Sequence, residues 1–186
     1  MQRRSALLTL GAAASWPFAQ AQPAPTGDPA ALLKAGACVV MLRHAQTEPG
    51  IGDPPEFRID QCSTQRNLSE AGRVHSRRIG QWFAARNLTP AAVQSSAWCR
   101  CKDTAELAFG RFTVLPALNS TFAGQGDERA ATPALRERLR RVAAGQFEVW
   151  VTHQVNITAL TGEVPAMGEA YILDASGTIR ARTLFA

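Results

Sequence analysis

Residues 39–47 read VVMLRHAQT. Four consecutive apolar residues run into Arg43 and His44. A short continuous apolar run predicts a strand covered on both faces, as in parallel sheets. Burial alone gives such a strand no reason to end on Arg-His. The segment therefore reads as a core strand that carries two polar side chains to the edge of a sheet.

The same pattern recurs downstream. Residues 91–95 predict a short strand that ends in Ser95-Ser96, with Arg100 a turn later, and 147–152 (FEVWVT) predict a third core strand that ends at His153. Helical patterns lie between them. The first spans 69–86, capped by Ser69 or Asn67, with Ala71, Val74, Ile79, Trp82 and Phe83 near one face. The second spans 102–109 and stops at Gly110. A third opens on Thr132-Pro133, a cap followed by proline, with Leu135, Leu139 and Val142 on its buried side. Residues 112–118 predict a strand with Pro116 at its end or on an edge, and 171–174 with 178–184 predict a hairpin around Ser176-Gly177. The polar loop 47–62, with Pro49, Gly50, Gly52, Pro54 and Pro55, is of a length uncommon without a function. Strands alternating with helices predict an α/β sheet covered on both faces. Ligands collect beyond the carboxyl ends of such strands, so parallel strands would bring Arg43, His44, Arg100 and His153 together.

The chain has 186 residues, 46% hydrophobic and 19% charged, which predicts one folded domain rather than disorder. We place that domain at 37–186. Residues 1–21 read as a secretory signal peptide: Arg3-Arg4, an apolar run over 6–14 too short to span a bilayer comfortably, and Ala19-Gln20-Ala21 as a small-x-small cleavage site. Arg3-Arg4 also permits a twin-arginine signal. Residues 22–36, opening with QPAPTGD, read as a flexible leader. The expected location is the periplasm or the exterior. Loss of Arg3 and Arg4 would bring the formal net charge from +5 to +3. A mildly basic surface favours anionic partners. The arginines at 77–78 and 136–141 read as solvated helix faces, so neither nucleic acid nor stable membrane insertion is expected. In an oxidising compartment the four cysteines can pair. Cys62 is expected to pair with Cys99 or Cys101, and Cys38 to be a core residue. A zinc site at Cys99-Arg100-Cys101 is the competing reading; C-x-C alone is weak support for it.

Two histidines and two arginines at one edge suit phosphate chemistry. Arginine offers a planar fork of donors that matches phosphate oxygens. A neutral imidazole can attack phosphorus, splitting one hard displacement into two. Arg43 and Arg100 would disfavour the imidazolium of His44. His153, if protonated, would donate to a phosphate oxygen in the transition state. No cofactor or metal is called for.

These residues resemble a known family. LRHAQT (42–47) is similar to the L-x-R-H-G-x-T signature of the histidine phosphatase superfamily, the phosphoglycerate-mutase-like clan, branch 1. NLSEAGRVHSRRIG, SSAWCRCKDTA and VTHQVNI resemble its later blocks, in the family's order. The resemblance implies a three-layer α/β/α sandwich with a mostly parallel central sheet. It implies His44 as phosphate acceptor, with Arg43, Arg100 and His153 completing the phosphate pocket. Two departures stand out. Ala45 replaces the usual glycine. Leu118-Asn119-Ser120 matches a Leu-Asn-Glu segment whose glutamate protonates the leaving group in many relatives. Asp127, Glu128 or Glu48 could supply that proton instead.

The function expected is hydrolysis of a small phosphomonoester through a phosphohistidine on His44. Hydrolysis is preferred to mutase activity because the chain is short. Some exported relatives act on envelope sugar phosphates, which makes such a sugar a candidate substrate. The alternative is a phosphate-ligand binding protein that keeps the pocket and has lost turnover.

Overall fold

The computed structural model describes residues 27–185. The signal-peptide reading falls on residues outside that range. In chain order the elements are α1 (Pro29–Ala35), β1 (Cys38–Arg43), α2 (Glu70–Ala84), β2 (Ala92–Ser95), α3 (Cys99–Phe109), β3 (Thr113–Val114), α4 (Glu128–Leu139), β4 (Phe147–Thr152), α5 (Gln154–Thr161), β5 (Ala170–Asp174) and β6 (Ile179–Thr183). The strands form one six-stranded sheet in the order β3-β2-β4-β1-β5-β6. β1, β2, β3 and β4 run parallel, while β5 and β6 are antiparallel additions. Among the described residues, no helix is long and apolar enough to cross a membrane.

The apolar run at 39–42 serves two cores. Alternate side chains of a strand point to opposite faces. Val40 and Leu42 join Ile79 and Phe83 of α2, Ala105 of α3 and Leu33 of α1 on one face. Val39 and Met41 join Leu135 and Leu139 of α4, Ile157 and Leu160 of α5 and Trp150 on the other. The result is the mostly parallel, three-layer sandwich that the family resemblance implied.

α2 begins where expected. Ser69 caps it by accepting from the Gly72 amide, and Glu70 favours the positive end of the helix. Gly72 and Gly80 are close-approach glycines. A Cβ at Gly72 would collide with the Gln46 carbonyl, and one at Gly80 with the Ala108 carbonyl. α2 is thereby drawn against both α3 and the segment after β1.

Four boundaries differ from the sequence reading, each for a local reason. Within 22–36, residues from Pro29 onward form α1 rather than flexible chain, because Asp28 caps the helix and Leu33 buries itself in the core. α3 begins at Cys99, so Arg100 stands in its first turn. The strand expected over 112–118 shrinks to Thr113–Val114, and a 3-10 turn over Pro116–Leu118 follows. Pro116 cannot donate to a ladder and fixes its own φ. α4 begins at Glu128 rather than at Thr132-Pro133. The Asp127 carboxylate accepts from the Ala130 amide, an earlier cap, and Pro133 lies inside the helix.

Candidate active site

The parallel strands end on one edge. The His44 amide donates to the Thr152 carbonyl and the Ser96 amide to the Val151 carbonyl. That ladder sets the residues after β1, β2 and β4 side by side. A cavity of about 280 Å3 opens there, lined among others by Arg43, His44, Arg66, Arg100 and His153. The first turns of α3 and α5 also reach it through Arg100 and through Gln154-Val155, bringing the positive ends of two helices to the same edge.

His44 is buried. Its Nδ1 lies 2.9 Å from the Ala45 carbonyl oxygen. A carbonyl only accepts, so Nδ1 carries the proton and Nε2 keeps the lone pair. Burial, with Arg100 the next cause, pushes the imidazole down from its ordinary 6.5 to about 3. The ring is therefore a neutral base at any ordinary pH. Ala45 fits without strain: its amide donates to Thr104 Oγ1, and it is not among the four described non-glycine residues with positive φ.

His153 faces His44 edge-on, with ring centroids 5.5 Å apart. Its Nδ1 lies 3.5 Å from Arg100 Nη2, and its Nε2 lies 2.9 Å from Ser96 Oγ. A guanidinium only donates, so Nδ1 accepts and the Nε2 proton is directed at Ser96. Burial, then His44 and Arg100, push this imidazole well below its ordinary range. In the free site it is neutral, held among arginines, so the condition under which it would donate to a phosphate oxygen as an imidazolium is not met there. The share of this shift that comes from the arginines would be opposed by a bound phosphate dianion.

The structure brings two further residues, Asp53 and Arg66, to the site. Asp53, on the long loop, accepts from Arg100 Nη1 at 2.7 Å and from the Arg66 amide at 3.0 Å on Oδ1, and from Trp98 Nε1 at 3.0 Å on Oδ2. The side chains of Arg100 and Asp53 are 5% and 1% exposed. Burial alone would raise the Asp53 carboxyl, but the hydrogen bonds from Arg100, the Arg66 amide and Trp98 outweigh it and hold the carboxyl below its usual range. Arg66 lines the cavity as a third guanidinium and donates to the Gly50 carbonyl. The Nε atoms of Arg43, Arg66 and Arg100 are all buried without a protein acceptor. Three arginines against one carboxylate, with both imidazoles neutral, leave two positive charges. The signal that could have found Asp53 was the loop itself, too long and too rich in proline and glycine to be a mere connection.

The loop is stitched down at several points. Cys62 is disulfide-bonded to Cys99, the residue before Arg100. The Gln65 side chain accepts from the Cys99 amide at 2.9 Å, satisfying a first-turn donor of α3. Because Cys99 is bonded to Cys62, its sulfur is not available as the thiolate that the zinc reading needed. Cys101 is a free thiol buried against His153 and the Thr152 carbonyl, and Cys38 is a free thiol in the core.

The remaining candidates lie elsewhere. Asp127 and Glu128 are exposed and do not line the cavity; the Asp127 carboxylate is used as the cap of α4. Glu48 is also exposed and away from the cavity. Ser120 does line it, buried, at the position that the family segment assigns to the acid. Asn156 holds the Asn119 carbonyl at 2.9 Å and so fixes the Ser120 segment, not His153. His75 is half-buried and bonds the Leu184 carbonyl, well away from the site.

A mostly parallel α/β sheet that ends in two facing histidines and a cluster of arginines defines a class of phosphate-handling fold. The histidine phosphatase superfamily (branch 1) model matches residues 39–125, which include Arg43, His44 and Arg100. Over that stretch the chain is similar to the superfamily. Solved structures extend the likeness in fold. A protein histidine phosphatase SixA complexed with tungstate superposes with a TM-score of 0.55 at 20% identity, over 78% of this chain and 95% of the other. A mycobacterial glucosyl-3-phosphoglycerate phosphatase gives 0.55 at 18%, over 80% and 96%. TTHB049 from Thermus thermophilus gives 0.50 at 19%, over 78% and 98%. No curated protein matches the sequence.

Proposed function

We propose that this protein is a phosphohydrolase that splits a phosphomonoester through a phosphohistidine on His44. The observation that carries the reading is the cavity that gathers three guanidinium groups, Arg43, Arg66 and Arg100, beside a neutral imidazole whose Nε2 keeps its lone pair. A phosphate dianion would offset the two positive charges of the cavity. His44 Nε2 attacks phosphorus as the ester P–O bond breaks. Water then attacks phosphorus, the P–N bond breaks, and inorganic phosphate leaves. Arg43, Arg66 and Arg100 hold the equatorial oxygens, and His153 positions the Arg100 fork through its Nδ1. Such catalysis is mostly positioning and charge stabilisation.

The positive charge comes from the chain's own arginines, so turnover of 4-nitrophenyl phosphate is expected to survive a chelator and to disappear in His44→Ala. Acid-quenched wild-type protein should carry an acid-labile phosphoryl group that the variant lacks. A second reading, a binding protein without turnover, is motivated by Ser120 in place of an acid. It wins if the wild type binds inorganic phosphate yet hydrolyses no faster than His44→Ala. An oxidising location, periplasm or exterior, is supported by the Cys62–Cys99 disulfide and by the N-terminal sequence pattern. A sugar phosphate from the cell envelope is supported by family resemblance alone.

A further inference from the structure

Resting on the phosphohydrolase reading, we propose that the ester is aromatic: the site takes aryl phosphates, whose phenolate leaves without a proton, in preference to alkyl or sugar phosphates. Two independent features carry this.

The first is the state of every acid near the cavity. Among the described residues that line it, Asp53 is the only carboxylate. It is clamped by Arg100, the Arg66 amide and Trp98, three donors that all favour the ionised form. It braces an arginine and has no proton to give. The Nε2 proton of His153 is committed to Ser96. The Ser120 hydroxyl accepts from the Phe122 amide, and a serine hydroxyl is far too weak an acid for the task. Gln125 and Gln154 add only amides. General acid catalysis is typically worth about 10²–10⁴-fold. A leaving group that needs none recovers that loss. Phenols ionise near pH 10, as the tyrosine side chain does, whereas alkyl alcohols resemble water, at about 16.

The second feature is the rim. Seven large apolar side chains are exposed among the described residues, and three of them, Ile51 (92%), Phe122 (45%) and Met167 (36%), line this one cavity. Gly52, the residue after Ile51, lies against Phe122: a Cβ on it would be 3.4 Å from Phe122 Cε1. The cationic floor is sunk, with Arg100 buried and Arg43 and Arg66 half-buried, and the apolar rim is open. A ligand charged at one end and aromatic at the other matches that gradient, and Phe122 offers a ring for an offset or edge contact. A sugar would place its hydroxyls against those side chains and lose hydrogen bonds to water. At about 280 Å3 the cavity lies near the small end of ligand pockets, roughly 300–1,000 Å3, with room for a phosphate and one ring.

In the step itself, the His44 Nε2–P bond forms as the P–O(aryl) bond breaks, and the electron pair leaves on the phenolate oxygen, which takes a proton from solvent. Water hydrolyses the phosphohistidine, releasing phosphate and a proton.

The test compares kcat/KM for phenyl phosphate, a series of ring-substituted phenyl phosphates, benzyl phosphate and glucose 6-phosphate. Acetyl phosphate serves as a ring-free substrate with a good leaving group. The expected results are a steep fall in kcat/KM as leaving-group basicity rises, and phenyl phosphate at least 10²-fold above benzyl phosphate, which has the same ring on an alkyl oxygen. Ser120→Glu should narrow that gap. Phe122→Ala should raise KM for phenyl phosphate more than for acetyl phosphate. Benzyl or glucose phosphate turned over within a few-fold of phenyl phosphate, or equal KM changes in Phe122→Ala, overturns the aryl assignment and leaves the phosphohydrolase standing. If no substrate, acetyl phosphate included, exceeds the His44→Ala background, the phosphohydrolase reading itself fails.

Discussion

Replacing Asp53 by asparagine keeps the shape of the side chain and removes its charge. Asp53 and Arg100 form an ion pair with side chains 1% and 5% exposed, and Arg100 Nη1 lies 2.7 Å from the carboxylate. Removing one partner of a buried pair costs about 3–5 kcal/mol, because the other charge is left uncompensated. Asparagine can still accept from Arg100 and the Arg66 amide through its oxygen, but its NH2 group cannot accept from Trp98 Nε1, so about 3 kcal/mol is the reasonable figure. For a domain of this size that corresponds to a fall of about 6–12 °C in Tm. The same substitution takes the pocket from two to three positive charges. Inorganic phosphate should therefore bind more tightly and stabilise the variant more than the wild type, since a ligand stabilises by RT ln(1 + [L]/Kd). Turnover should move the other way. Arg100 loses the brace that orients its fork, and a misplacement of about 1 Å can cost on the order of 10²-fold. The assays are thermal unfolding in phosphate-free buffer, the same with a phosphate titration, and steady-state kinetics on an aryl phosphate. An Asp53→Asn protein with wild-type Tm and kcat would falsify the bracing role. A variant stabilised less by phosphate than the wild type would refute the charge argument.

Acidification should destabilise the fold through its histidines. The His44 imidazole sits at about 3 in the folded chain against 6.5 unfolded. From pH 6.5 downward the unfolded chain thus takes up a proton that the folded chain refuses. Stability then falls by about 1.4 kcal/mol per pH unit, about 2 kcal/mol by pH 5 from His44 alone. His153 shifts in the same direction. Denaturant midpoints at pH 7 and pH 5 measure the loss, and a flat profile would contradict the buried neutral pair. Reduction of the Cys62–Cys99 disulfide reopens a loop with a sequence separation of 37, which loop-closure entropy values at about 4 kcal/mol. Because that bond adjoins Arg100, its loss should also raise KM for phosphate esters. Cys62→Ser should reproduce both effects, and an unchanged Tm and KM would show that the loop is held by its hydrogen bonds alone.

Much of the fold could be read from 39–47 and its two companions, because a parallel strand buried on both faces has little sequence freedom. The apolar runs located β1, β2 and β4, and the polar residues just past them located His44, Arg100 and His153. Helix starts were harder. Thr132-Pro133 is a sound local signal, yet Asp127 supplied an earlier cap, and packing of Leu135 and Leu139 carried the helix through Pro133. Arg100 was found as a residue, but its seat in the first turn of α3 was not, since that turn is completed by Gln65 from another segment. The role of Asp53 could not be assigned for the same reason. Nothing adjacent to it in sequence explains it; its partners are Arg66, Trp98 and Arg100.

The carboxylate that the family segment would place at Ser120 and the carboxylate that this chain places at Asp53 are not interchangeable. An acid on the leaving-group side must exchange its proton, so it needs an environment that tolerates both charge states. Asp53 sits where three donors, an arginine among them, favour only one. Moving a carboxylate from the first position to the second converts proton transfer into arginine positioning. It also sets the pocket at two positive charges, matched to a phosphate dianion. Among relatives that lack the glutamate, the reactivity of the ester should therefore be decided by its own leaving group. Adding the acid back at Ser120 tests that directly: Ser120→Glu should accelerate alkyl esters while Asp53 continues to brace Arg100. If alkyl and aryl esters respond alike, the proton was never what this pocket lacked.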